Sequence, residues 1–366
     1  MGDIARSALG GAWTVLVGWL LPTALNVSLF VVAVWPSLRR TGWSPKLWSS
    51  DVAPLSLGVM AVSVLLGLAL NALRNPLYRV LEGYALWPSA LASHGCARRR
   101  RAKEDLQDRI LLLRLERQER DRPLSPEDTT LLTALRANPR IARPARKDRR
   151  RTAVQRALLR ERLARFPIDD GQLAPTTLGN AIRRFEEYGH DRFRLDTQVL
   201  WNELTGSAAE PVRRQVDLAR ANVDFFVALL YGHCAVVLCA ALTLTTARPD
   251  VPLLLTAIAV PGFLIPVWYR AAVSATDEWS AAVRALVNTT RKPLSEALGL
   301  RLPNDLAGER KMWALVSKMS KLPHHERAAE LDRFRAGRSE SPPEQAEGSG
   351  TRTHGAEGTR GGASRR

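Results

Sequence analysis

Four stretches of the chain carry no charged side chain: residues 7–38, 52–73, 225–247 and 251–269. Polar and charged positions dominate everywhere else. A helix rises about 1.5 Å per residue and the hydrocarbon core of a bilayer is about 30 Å thick, so about 20 apolar residues cross it. The last three stretches hold 22, 23 and 19 residues, closed by Asp51 and Arg74, by Asp224 and Arg248, and by Asp250 and Arg270. The first is longer, with Trp13 and Trp35 as expected interface anchors. The pattern predicts four transmembrane helices in two hairpins, separated by a long polar insert. A cleaved leader fits the first stretch poorly, because only Arg6 precedes it and no small-x-small site closes it before Trp35. Pro261 and Pro266 make the fourth a kinked span rather than a straight one.

The polar regions read as helices without strands, so the expected fold is all-α. The layout is a first membrane region over 1–36, an outer loop 37–51, a second span 52–73 and a basic helical cytosolic domain 74–223. The third and fourth spans follow over 224–269, then C-terminal helices 270–334 and a disordered tail 335–366. Pro88 is expected to end a helix. Ser125-Pro126-Glu127-Asp128 is a helix start, and Asn138-Pro139 stops that helix. Thr177 is expected to cap a helix running to Tyr188, with Gly189 as a left-handed stop. Asp196 is expected to cap a second helix containing Val199, Leu200, Trp201 and Leu204.

Charge sets the expected orientation. The chain has 53 Lys and Arg against 36 Asp and Glu, a net of +17. Residues 98–165 hold 22 of those bases and 10 acids, a net of +12. Lys and Arg concentrate in the long insert and after the fourth span, while Arg248 alone lies between the last two spans. The positive-inside rule then puts the N-terminus, insert and tail in the cytosol, against a mild counterweight from Arg39, Arg40 and Lys46 in the outer loop. The run Arg98, Arg99, Arg100, Arg101 and Lys103 begins about 25 residues past the second span and is expected to lie on anionic lipid headgroups. No Phe, Tyr or Trp occurs between Arg98 and Arg165, so base-stacking platforms are missing and nucleic acid is the weaker partner. Three cysteines, Cys96, Cys234 and Cys239, fit a reducing compartment.

Candidate chemistry is sparse. Glu187-Tyr188-Gly189-His190 has the Glu-x-x-His spacing of carboxylate-bridged metal bundles, without the second copy that such sites need. His324-His325-Glu326 is weaker still. No metal or other cofactor is expected, and no catalytic residue is assigned. Within the spans, His233, Asn26 and Asn71 are polar groups that either serve a function or bond a neighbouring helix. Ser63-x-x-x-Gly67 and Ala235-x-x-x-Cys239 offer small faces for close packing.

Pro175, Thr176, Leu178, Gly179 and Asn180, then Glu186, Tyr188, Arg192, Leu195, Asp196, Leu200 and Trp201, form a pattern similar to a signature of bacterial integral membrane proteins to which no activity is assigned. The segment Leu298-Gly299-Leu300-Arg301-Leu302-Pro303, followed by Glu309 and Trp313, resembles that group's C-terminal pattern. The chain departs from it at Phe193-Arg194, where Tyr-Gly stands, and at Asn288, where an acid precedes Thr290-Arg291. The resemblance implies two membrane hairpins, a cytosolic helical insert and a bacterial plasma membrane location. Thr176, Gly179, Asn180, Glu187, Tyr188, Arg192, Asp196 and Trp201 are the motif positions expected to be structural or to bind a partner. Glu187, Arg192 and Asp196 are expected to pair around the turn, with Tyr188 and Trp201 as its large apolar contents.

Three functions are open at this stage. One is a non-enzymatic scaffold or regulator contacting anionic lipid and a protein partner. A second is an oligomeric pore, similar to bestrophin-type channels in topology alone, for which the second span supplies neither an aromatic nor a charge. The third is a membrane-tethered nucleic-acid binder. A homo-oligomer is compatible with all three.

Overall fold

Helices form where the hydrophobic pattern asked for them, and the computed structural model describes them over residues 12–40, 52–149, 152–321 and 326–335. The fold is all-α. Four helices are long and apolar enough to cross a membrane: α1 (Ala12–Ala33), α3 (Val52–Ala72), α12 (Glu210–Thr243) and α13 (Val251–Ala297). Helix α1 contains a π-turn at Leu16–Leu20 and is followed by the short α2 (Trp35–Arg39). The extra residue of the π-turn lies beside Gly18, where an added Cβ would come within 3.2 Å of the Asp224 Cβ.

Contacts at the two ends of the bundle fix its arrangement. At one end Ser37 Oγ accepts from the Asp250 amide at 3.0 Å, and Arg40 meets Asp250 at 3.4 Å. At the other end the Tyr78 hydroxyl donates to Asp224 at 2.8 Å, and Tyr231 donates to the Leu77 carbonyl at 2.9 Å. The turn before Asp250 therefore shares one end with α2, and the insert emerges from the opposite end. The Ser63-x-x-x-Gly67 face packs as expected, since a Cβ on Gly67 would come within 2.6 Å of Leu20. Ala235-x-x-x-Cys239 does not: Ala235 is exposed, and the inward face of α12 is Gly232, Val236 and Ala240. Trp13 is exposed, but Trp35 is buried and so is no lipid-facing anchor.

Beyond the bundle, α4 (Arg74–Glu82) ends at Gly83, whose φ of +92 is left-handed. Pro88 then precedes α5 (Ser89–Asp121), so it starts a helix rather than ending one, its fixed φ suiting that place. Helices α6 (Pro126–Ala137), α7 (Pro139–Arg149) and α8 (Thr152–Ala164) fold back along α5. Ser125 caps α6 by accepting from the Asp128 amide at 3.1 Å, and Leu112, Leu115, Leu132, Leu135 and Ile141 form a small core there. The motif region supplies α9 (Thr177–Glu186), α10 (Tyr188–Phe193) and α11 (Trp201–Ser207), and α14 (Leu306–Met319) closes the body.

Two helices run on past the expected spans. The third span is one helix with residues 210–223, and the fourth continues to Ala297 through Pro261, Pro266 and Pro293. Charge marks where lipid must end, but it does not stop a helix. A single core cluster accordingly runs from Trp19 in α1 through Phe185 and Trp279 to Met312 and Trp313 in α14. The expected tail beyond Arg335, like His324-His325 and the Glu326 side chain, lies outside the described residues.

Candidate functional site: the motif clasp and the basic run

The motif Pro175-Thr176-x-Leu178-Gly179-Asn180 folds as a clasp at the end of the bundle from which the insert emerges. Thr176, not Thr177, caps α9: its Oγ1 accepts from the Gly179 amide at 2.9 Å and donates to the Glu82 carbonyl at 3.3 Å. Asn180 is 1% exposed. Its Oδ1 accepts from the Ala174 amide at 3.0 Å, and its Nδ2 donates to the carbonyls of Ala174 and Thr176 at 2.7 and 2.6 Å. Glycine is demanded where backbones meet. A Cβ on Gly179 would fall 2.7 Å from the Glu82 carbonyl oxygen, and one on Gly95 would fall 2.6 Å from Pro175. The Leu178 amide donates to the Tyr269 hydroxyl at 3.2 Å, which ties α9 to the fourth spanning helix.

The second half of the motif corrects three expectations. Gly189 is no left-handed stop; it lies inside α10, where a Cβ would fall 2.5 Å from Thr197 and 2.8 Å from the Leu195 carbonyl. The left-handed residue is Arg194, φ +61, at the position where the resembling group has glycine. Asp196 does cap the next turn, accepting from the Gln198 and Val199 amides at 3.2 Å each, before α11 begins at Trp201. Glu187, Arg192 and Asp196 do not pair with one another. Glu187 meets Arg183 at 3.5 Å, Asp196 meets Lys321 at 2.5 Å, and Arg192 lies exposed with its guanidinium 5.8 Å from the Phe193 ring. Helical direction explains this, since α10 turns the chain and sends the three side chains to different neighbours. Tyr188 and Trp201 are half-buried, and the fully enclosed side chains of the turn are Leu195, Leu200 and Leu204.

The N- and C-terminal motifs meet in space. Arg291 stacks over Phe193 at 3.6 Å and pairs with Glu309, which also accepts from Trp313 Nε1 at 3.1 Å. Tyr188 donates to Asn288 at 3.1 Å. An acid at position 288, as in the resembling group, would accept the same proton. Glu187 and His190 hold no shared site: His190 is exposed and contacts Arg194. No three ligating side chains converge among the described residues.

Within the spans, two of the three polar residues find each other. His233 Nδ1 lies 2.7 Å from Asn26 Oδ1, Asn26 Nδ2 donates to the Pro22 carbonyl at 2.8 Å, and both residues are buried. A Cβ on the neighbouring Gly232 would overlap Asn26, so this glycine lets the amide in. Asn71 is half-buried and takes no part in the pair.

Of the basic run, Arg98, Arg100 and Arg101 are exposed and Arg99 is half-buried. Lys103 is not on the surface. It is 6% exposed and donates to Asp170 at 2.5 Å and to the Ile168 carbonyl at 2.9 Å, because Lys103 sits one turn beyond Arg99 on the face of α5 turned to the body. At the clasp, burial and the neighbouring Glu186 push the Glu82 carboxyl up to about 7, and burial raises Glu186 as well. Glu186 was read as a motif position but Glu82 was not singled out, since two acids 104 positions apart gave no sign of meeting. No protein-family model, curated protein or solved structure matches this chain.

Proposed function

We propose that the protein is a non-enzymatic scaffold or regulator of the bacterial plasma membrane, its basic cytosolic helices laid against anionic lipid and available to a protein partner. The observation that carries this reading is the bond from the Leu178 amide to Tyr269. From Val251 to Tyr269 the helix rises about 27 Å, close to the thickness of the hydrocarbon core. On this reading the clasp starts where the lipid ends, and the arginine-rich turn of α5 passes beside it through the Gly95–Pro175 contact. Each exposed Lys or Arg at that depth contributes about 1 kcal/mol against an anionic leaflet. The positive-inside bias supports the same orientation, with both termini and the insert in the cytosol.

The test uses the full chain with its three native cysteines replaced and an environment-sensitive fluorophore on Arg101→Cys. Reconstituted into vesicles with anionic lipid, the probe is expected to report an apolar setting that salt reverses; in zwitterionic vesicles it reports water. Equal emission in both refutes the reading. Binding to RNA at salt that reverses the lipid signal favours the nucleic-acid alternative, and ring-shaped oligomers with an axial channel favour the pore.

A further inference from the structure

We infer that the cavity of about 400 Å³ between α5, α8 and the start of α9 holds the phosphate of an anionic phospholipid drawn from the adjoining leaflet. Its walls include Arg99, Arg109, Arg162 and Arg165, with Leu106 and Phe166 as apolar lining. Two of these cations are already neutralised: Arg109 by Asp148 at 2.6 Å, and Arg165 by Asp277 at 2.5 Å. Asp105, the acid in the lining, is paired with Arg140 at 3.3 Å. Arg99 and Arg162 have no acidic partner among the described residues, and Arg99 Nε is buried without any hydrogen bond. Burial depresses the Arg99 guanidinium, Tyr269 opposes that, and the nearby Arg98 adds to the depression. Two uncompensated guanidinium groups facing one cavity call for an anion with several acceptor oxygens, and a phosphate suits their planar forks.

The larger cavity, about 1000 Å³ among α5, α6, α7 and α8, makes the contrast. There Arg136 is held by Glu116 and Glu119, Arg117 by Asp121, and Arg120 by the Glu116 carbonyl. Three acids, Glu116, Glu119 and Asp121, line it beside its arginines, where the smaller cavity has Asp105 alone. Position distinguishes the two as well: Arg99 lies within electrostatic reach of Tyr269, at the lipid boundary, where a headgroup enters without leaving its leaflet. The apolar lining suits a glycerol backbone better than a free ion.

This inference rests on the reading that the body lies against an anionic leaflet, and the experiment separates the two. The purified full chain in zwitterionic micelles is titrated with phosphatidylglycerol, and bound lipid is counted by native mass spectrometry. One saturable lipid per chain is expected. Arg99→Gln with Arg162→Gln should weaken it about tenfold or more, at unchanged melting temperature, while Arg99→Lys retains part of it. Arg100→Gln with Arg101→Gln, outside the cavity, should leave it intact. Equal loss in both pairs overturns the site and leaves the diffuse surface reading standing; no bound lipid in any form overturns both. If inorganic phosphate at millimolar concentration displaces the lipid and occupies the chain one to one, a free anion is the occupant and the lipid assignment falls.

Discussion

Asn180→Ala removes three hydrogen bonds from a site that water does not reach. The Thr176 carbonyl keeps its bond from the Asn180 backbone amide, so the loss falls on the N–H and C=O of Ala174, a residue 2% exposed. Each buried polar group left without a partner costs about 1–3 kcal/mol, which puts the substitution at about 2–6 kcal/mol. Asn180→Asp keeps the shape and the acceptor toward the Ala174 amide, yet it sets an anionic oxygen against two carbonyls where an N–H stood. At neutral pH it should be worse than alanine. Its carboxyl, raised by burial and by those carbonyls, should take up a proton as pH falls and then donate to one of them, so its stability should recover toward acid pH. The assay is thermal unfolding of the detergent-purified chain followed by tryptophan fluorescence, with limited trypsin digestion of the insert as a second readout. A shift on the order of 5–10 °C is expected for the alanine variant. Wild-type melting and wild-type protease resistance in Asn180→Ala would refute the clasp, and so would an aspartate variant more stable than the alanine one at neutral pH.

Gly189→Ala should already destabilise the turn, because even one methyl meets Thr197 and the Leu195 carbonyl; an overpacking loss of about 1–3 kcal/mol is expected in the same melt, and a neutral outcome would contradict the packing. Glu82 is held at about 7 against an ordinary 4.5, so the folded chain binds more protons across that window and loses stability as pH rises through it. The full shift is worth about 3 kcal/mol, trimmed to about 2 by partial contact with water, so Glu82→Gln should gain about that at pH 8 and nothing at pH 4. Cysteines placed singly at Ala247 and Gly171, with native cysteines removed, should label from outside intact cells at 247 only; labelling at 171 overturns the orientation.

What the sequence made legible follows from the physics each feature depends on. The spans could be read because exclusion of charge from lipid is absolute enough to leave its mark in a single sequence. The ends of α12 and α13 could not, since a helix continues wherever its hydrogen bonds are satisfied, polar surface or not. The cap of α9 was legible as a threonine but misplaced by one residue, because only φ and ψ tell Thr176 from Thr177. Arg194 in the left-handed region was hidden by its identity; glycine at that position in the resembling group was the available signal. The burial of Lys103 had a signal too: Arg99, Lys103, Leu106 and Ile110 recur at helical spacing, which makes one inward stripe of a run that reads as uniformly basic. The joining of Phe193 to Arg291, Glu309 and Trp313 had no local signal, since the partners lie about a hundred positions apart.

The unbroken course of α13 has a mechanical consequence. Ala297 lies 28 residues past Tyr269, about 42 Å along a continuous helix. With Tyr269 as fulcrum, a tilt of about 5° beyond Pro266 swings that far end by about 4 Å along the continuous helix. Spanning helices tilt when the bilayer thickens or thins. Phe193 and Glu309 grip this lever at Arg291, so they would feel the thickness of the membrane as a sideways displacement of their arginine.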